Sequence, residues 1–180
     1  MRAYIKIIIV LIFLITPCKS LATEYLYILN DKCINELYEK ANSTLPTREI
    51  DVIKDSRGII LRTYFSNLND EYFKITEKTI QKLNYIKNFL AKIENSAIIE
   101  VHTTANNNDN INKTLRNWEV STVIANNIEA IITKPYGEID QNRINSVGYG
   151  EFLPAENTPY NGGKDANRID IIILCNVSGE

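Results

Sequence analysis

Apolar and polar positions along the chain switch between a helical and an extended period, and the switches mark out the elements. Ile34, Leu37 and Tyr38 fall at helical spacing, which predicts a short helix over residues 31–40. Residues 43–48, around Pro46, read as a linker. Residues 50–53 and 58–65 are rich in β-branched side chains and flank Lys54-Asp55-Ser56-Arg57, where Asp and Ser suit a turn, so a hairpin is expected. Thr76 stands where an N-cap belongs, ahead of Ile80, Leu83, Ile86, Leu90 and Ile93 at three- and four-residue steps. Residues 96–103 then form a strand around Ile98, Ile99 and Val101, and residues 105–112 form a loop almost entirely of Asn and Asp. A second long helix is predicted over residues 113–133, with Val120, Ile124, Ile128 and Ile131 on one stripe and Pro135 and Gly137 ending it. Residues 144–149 and 168–175 are strands, joined by a Pro- and Gly-containing loop over 151–164. This order predicts an α/β fold, an α+β sandwich with helices packed on one face of a mixed β-sheet.

The first residues belong to a different pattern. Arg2 and Lys6 precede an apolar run over 7–15, Pro17 breaks it, and Ser20-Leu21-Ala22 places small residues where a signal peptidase reads. Residues 1–22 therefore read as a secretory signal, since a bilayer span needs roughly 20 apolar residues. The competing reading is a lipobox, Ile15-Thr16-Pro17-Cys18, with lipid on Cys18; Pro17 beside the cysteine fits it poorly. Beyond the signal, residues 23–49 form an N-terminal helix and linker, and residues 50–180 a single domain. A formal net charge of -2 leaves no basic footprint for nucleic acid. Cys33 and Cys175 are the two thiols of the exported part. In an oxidising compartment they suggest one disulfide, with two unrelated buried cysteines as the alternative.

Catalytic chemistry finds little to stand on. His102 is the single histidine, no serine lies in a nucleophile elbow, and the glutamates are scattered rather than paired. One histidine makes no metal site, and Gly162-Gly163-Lys164 lacks the spacing of a phosphate-binding loop and reads as a turn. The expectation is a non-enzymatic protein without metal or cofactor.

Four segments in order, "VHTT", "NWEVSTVIA", "VGYGEFLPAEN" and "RIDIII", give the chain its resemblance. It resembles the OmpA-like C-terminal domain, the peptidoglycan-anchoring module also found in the flagellar stator protein MotB and in peptidoglycan-associated lipoproteins. The resemblance covers roughly residues 50–175; residues 23–49 have no counterpart in it. It implies recognition without turnover: a strand-end histidine, threonine and aspartate, with an arginine one turn past an Asn-x-x-Leu-Ser helix start, hold the zwitterionic end of diaminopimelate. An aspartate pairs with the ammonium while an arginine forks the carboxylate. His102, Thr103, Asn117, Ser121 and Ala125 match that pattern. Thr104 stands in place of the aspartate and Ile124 in place of the arginine. Arg168 matches the last arginine of the family's Arg-Arg pair, whose first member is Asn167 here, and Val101 replaces the glycine before the histidine. Each lost charge-assisted contact is worth about 1.5–3 kcal/mol, so the resemblance implies weakened peptidoglycan binding.

Each of these residues also has a plainer reading. His102 fits a structural role at the strand end, and Ile124 fits the core. Arg168 fits a solvated edge charge as well as a ligand contact. Trp118 fits either an aromatic platform for sugar or a half-buried wedge between helix and loop, with the wedge favoured because Trp is commonly well buried. Two function classes follow: a periplasmic cell-wall binding module at the outer membrane or wall, or a scaffold subunit of an envelope assembly such as a Dot/Icm-type IV secretion system.

Overall fold

The structure, a computed structural model, describes residues 21–65, 75–103, 111–133, 139–151 and 167–175, with side chains of 21–29 and 111–116 left aside. Cys18, Thr104, most of the Asn/Asp loop, Pro135, Gly137 and the Gly162-Gly163-Lys164 turn lie outside the described residues. Helix α1 spans Leu21–Thr44, twice as far as the apolar spacing predicts, and it absorbs the start of the expected linker. Packing accounts for the extension past Lys40: Ile34, Leu37, Ala41 and, just beyond the helix, Leu45 continue one stripe into the core. The polar residues at the end of the stripe hydrogen-bond back along the helix, Asn42 Nδ2 to the Tyr38 carbonyl at 2.9 Å and Thr44 Oγ1 to the Lys40 carbonyl at 2.7 Å.

Strands β1 (Asp51–Asp55) and β2 (Gly58–Tyr64) form the expected hairpin with Asp55 opposite Gly58. Gly58 is required there: its φ is 153°, and a Cβ would meet the Ile173 carbonyl oxygen at 1.9 Å. Helix α2 (Glu77–Leu90) begins at Thr76, whose side chain accepts from the Thr79 N–H at 3.3 Å. Strand β3 (Ala97–His102) follows, then helix α3 (Ile111–Thr133), a short 3₁₀ turn (Gln141–Arg143), β4 (Ile144–Gly150) and β5 (Arg168–Leu174). In the last turn of α3 it is Ile132, not the expected Ile131, that is fully buried.

The strands make a five-stranded sheet in the order β1-β2-β5-β3-β4. β3 and β4 are parallel, connected through α3, and the other pairs are antiparallel. Alternation along the strands gives the two faces separate characters. Ile59 and Leu61, Ile169, Ile171 and Ile173, and Ala97, Ile99 and Val101 share one face and join the three helices in a single core. On the other face lie Arg62, Asp170 and Glu100 in one cross-strand row, and Tyr64, Arg168 and His102 in the next.

Two devices close the end of the sheet remote from that second row. The Arg143 guanidinium donates to the carbonyls of Ile93 and Asn95, both at 2.7 Å, satisfying backbone acceptors just past α2. Cys33 and Cys175 are disulfide-bonded, tying α1 to the residue after β5.

Candidate functional site: the strand ends and the start of helix α3

The matching motif residues meet where β3 and β4 end against α3. The Thr103 N–H donates to the Gly150 carbonyl at 2.9 Å, and the Gly150 N–H donates to Ser121 Oγ at 2.8 Å. Ser121 Oγ in turn donates to the Trp118 carbonyl at 2.8 Å, while Thr103 Oγ1 donates to the Asn117 carbonyl at 3.1 Å. Thr103 and Ser121, with the Asn117 backbone carbonyl, thus bolt the helix to two strands, a geometric reason for the two hydroxyl residues at this spacing. Two glycines permit the approach. A Cβ on Gly148 would lie 2.2 Å from the Thr122 nitrogen, and one on Gly150, whose φ is 54°, would lie 3.0 Å from the Trp118 nitrogen. Asn117 Nδ2 is buried with no acceptor among the described residues.

His102 lies on the other side of β3 from this bolt. Its Cα pairs with that of Arg168, and its ring stacks on Tyr149 with centroids 5.2 Å apart. The β3–β4 register shifts between Val101 and His102, so that His102 pairs with Gly150 and Tyr149 is passed over. A bulge of this kind re-aims a side chain, here the Tyr149 ring beside the imidazole. His102 Nε2 is 3.9 Å from carboxylate oxygens of both Glu100 and Asp170.

Asp170 is the hub of this face. It accepts from Arg62 Nε and Nη2 at 2.7 and 2.8 Å, a forked pair, and from Arg168 Nε at 3.0 Å. Burial works against the Arg62 charge, but the hydrogen bonds and field of Asp170 prevail and raise its pKa further. Glu100 accepts from Arg57 Nη1 at 3.1 Å. Ligand-type atoms of Glu100, His102 and Asp170 lie within 4.8 Å of one another. Three guanidinium groups already face the two carboxylates, so the cluster has the chemistry of an ion-pair network rather than of a cation cage.

The structure decides between the alternative readings at Arg168 and Ile124. Arg168 is no solvated edge charge: it starts a central strand, and its side chain is 4% exposed. Trp118 is half-exposed, at 50%, and the loop against which it would wedge lies outside the described residues. Ile124 is in the core, 2% exposed, as its plainer reading has it. Thr104 lies outside the described residues, so the structure brings together His102 and Arg168 on one side of β3 and Thr103, Asn117 and Ser121 on the other, with Ile124 sealed beneath. Asp170, Glu100 and Arg62 were not singled out from sequence. Their signal was present, a lone charge inside an apolar strand run, as in Ile169-Asp170-Ile171 and Ile99-Glu100-Val101.

Comparison with known proteins agrees with this fold. Among solved structures, a putative MotB-like protein from Desulfovibrio vulgaris shares the fold with a TM-score of 0.62 at 18% identity, over 84% of this chain and 97% of that one. The cell wall anchor of the T6SS from Pseudomonas aeruginosa gives 0.57 at 13% identity, over 78% and 96%. An outer membrane protein from Borrelia burgdorferi B31 gives 0.52 at 25% identity, over 69% and 96%. No curated protein matches the sequence. The family model for the OmpA family matches residues 69–168, which include α2, β3, α3, β4 and Arg168. With more than half the chain matched and the same sheet and helices built around it, the protein belongs to the OmpA family.

Proposed function

We propose that this chain is a non-enzymatic protein of the cell envelope, exported by residues 1–22, whose domain over residues 50–180 associates weakly with peptidoglycan in the periplasm. The observation that carries the reading is the bolt of Thr103, Gly150, Ser121 and the Asn117 carbonyl, which fastens the strand ends to α3 at residues that match the family's wall-binding pattern. The weakness follows from the two departures. Thr104 offers no carboxylate for an ammonium, and Ile124 is buried where the pattern has an arginine. Arg168 Nε is engaged by Asp170, so one edge of the remaining cation serves the fold. The D. vulgaris and P. aeruginosa structures, a MotB-like protein and a cell wall anchor, share the architecture this reading needs. No described helix is long and apolar enough to cross a membrane.

The second reading is a scaffold subunit of an envelope assembly, for which a Dot/Icm-type secretion system is the model. The burial of Ile124 favours it, because a side chain sealed in the core contributes packing and no ligand contact.

Co-sedimentation of the mature protein with purified sacculi separates the two. Weak, saturable binding is expected of wild type, and T104D with I124R together are expected to strengthen it beyond the sum of the single changes, since the two charges grip opposite ends of one zwitterion. I124R places a charge in the core at a cost of several kcal/mol, so thermal unfolding is measured in parallel. A folded double variant that gains no binding, with wild type absent from the pellet, refutes the wall reading in favour of the scaffold.

A further inference from the structure

The Cys33–Cys175 bridge joins two unlike sulfurs. Cys175 is fixed and sheltered: it is 7% exposed, its N–H donates to the Arg57 carbonyl at 2.8 Å, and the Leu174 N–H before it donates to the Ser96 carbonyl at 2.9 Å. Cys33 is only partly buried, at the border of α1 where the buried Ile34 and Leu37 give way to the exposed Lys32 and Glu36. Asn95 Nδ2 stands as a donor 4.0 Å from Cys33 Sγ, and the same amide donates to the Leu174 carbonyl at 2.9 Å, which holds it in place. A thiolate at Cys33 therefore meets an N–H, and it is the thiolate that attacks a disulfide. Both cysteines lie outside the residues 69–168 that the family model matches.

We infer that Cys33 is the sulfur that exchanges with an external disulfide and that Cys175 is the resolving thiol that closes the bridge. In the first step the Cys33 thiolate attacks one sulfur of the external disulfide. That S–S bond breaks, the other external sulfur leaves as a thiolate, and a mixed disulfide forms at Cys33. In the second step Cys175, its proton given to water, attacks Cys33 Sγ; the mixed disulfide breaks and the remaining external sulfur leaves as a thiolate. The two cysteines lose two electrons and two protons, and the external disulfide gains them as two thiols. The order follows from access, because the reverse order brings the external disulfide to a sheltered sulfur at the end of a central strand. The chain thus has one defined point at which an oxidant acts, and through it the attachment of α1 to the sheet. This inference goes beyond the proposed wall association and does not depend on it.

The mature protein as C175S and as C33S, each purified reduced, is mixed in native buffer with oxidised glutathione and, in a second arm, with an oxidised thioredoxin-fold dithiol oxidase. Samples are quenched in acid, and peptide mass mapping locates the adduct. C175S is expected to acquire its adduct at Cys33 at least about tenfold faster than C33S acquires one at Cys175, since a sheltered thiol reacts only through opening. In urea the two rates are expected to converge. Reduced wild type quenched early is expected to carry its adduct on Cys33 alone. Far-ultraviolet circular dichroism verifies the fold of each variant, and the faster arm at equal disulfide concentration identifies the source as a small disulfide or a protein. Equal rates for the two variants in native buffer, or an early wild-type adduct on Cys175, overturn the order whether or not α1 stays docked, because Cys175 is then unsheltered when exchange takes place. A folded C175S that takes no adduct, while the same variant in urea does, shows Cys33 closed to exchange and overturns it too.

Discussion

Removing the Asp170 carboxylate tests whether the charged row on the sheet carries the fold. Asp170 receives three hydrogen bonds from two guanidinium groups, and its side chain is 4% exposed against 13% for Arg62 and 4% for Arg168. An ion pair at a surface is worth at most about 1 kcal/mol. Breaking one inside a protein costs about 3–5 kcal/mol, because the surviving charges stay buried without their counterion. Asp170→Ala takes from the buried Arg168 and Arg62 the carboxylate to which both donate, so the upper regime applies, and a loss of about 3–5 kcal/mol is expected from a total of about 5–15. Asp170→Asn keeps an acceptor oxygen but no charge and is expected to lose about 2 kcal/mol. Urea unfolding followed by far-ultraviolet circular dichroism, with the disulfide intact, measures both; an unchanged m-value shows that the same surface is exposed. A double-mutant cycle with Arg62→Ala isolates the forked pair, for which coupling above about 1 kcal/mol is expected. If Asp170→Ala falls within about 1 kcal/mol of wild type at equal m, the pair behaves as a solvated one, and the assignment of this row to the fold is wrong.

Further outcomes follow from the covalent and steric features. The Cys33–Cys175 bridge spans a sequence separation of 142, and the chain-entropy estimate for a loop of that length is about 5 kcal/mol. C33S with C175S is therefore expected to lower the unfolding free energy by several kcal/mol, read as a lower urea midpoint, and to raise proteolysis of α1; an unchanged midpoint defeats the claim. Gly148→Ala puts a methyl group 2.2 Å from the Thr122 backbone nitrogen, so the helix must shift, at about 1–3 kcal/mol or more. Thermal unfolding checks it, and a neutral result shows that α3 is not held as closely as described.

The order of elements was legible in the sequence because burial period is a local property. The apolar steps of Leu83, Ile86 and Leu90, the cap at Thr76, and the runs that became β3, β4 and β5 each carry their own signal within a few residues. So did the motif residues around the strand ends, since Val101, His102 and Thr103 run along and just past one strand and "NWEVSTVIA" lies within one helix. The end of α1 past Lys40 was not legible, because it is held by core contacts of Ala41 and of Leu45 just beyond the helix that polar neighbours conceal. Neither was the burial of Arg168, which follows from the place of β5 in the middle of the sheet, decided by pairing with β2 and β3 rather than by its own residues. The Arg62–Asp170 pair joins residues 108 positions apart. A charge in an apolar run announces only that a partner is needed; strand register, a tertiary quantity, chooses which one.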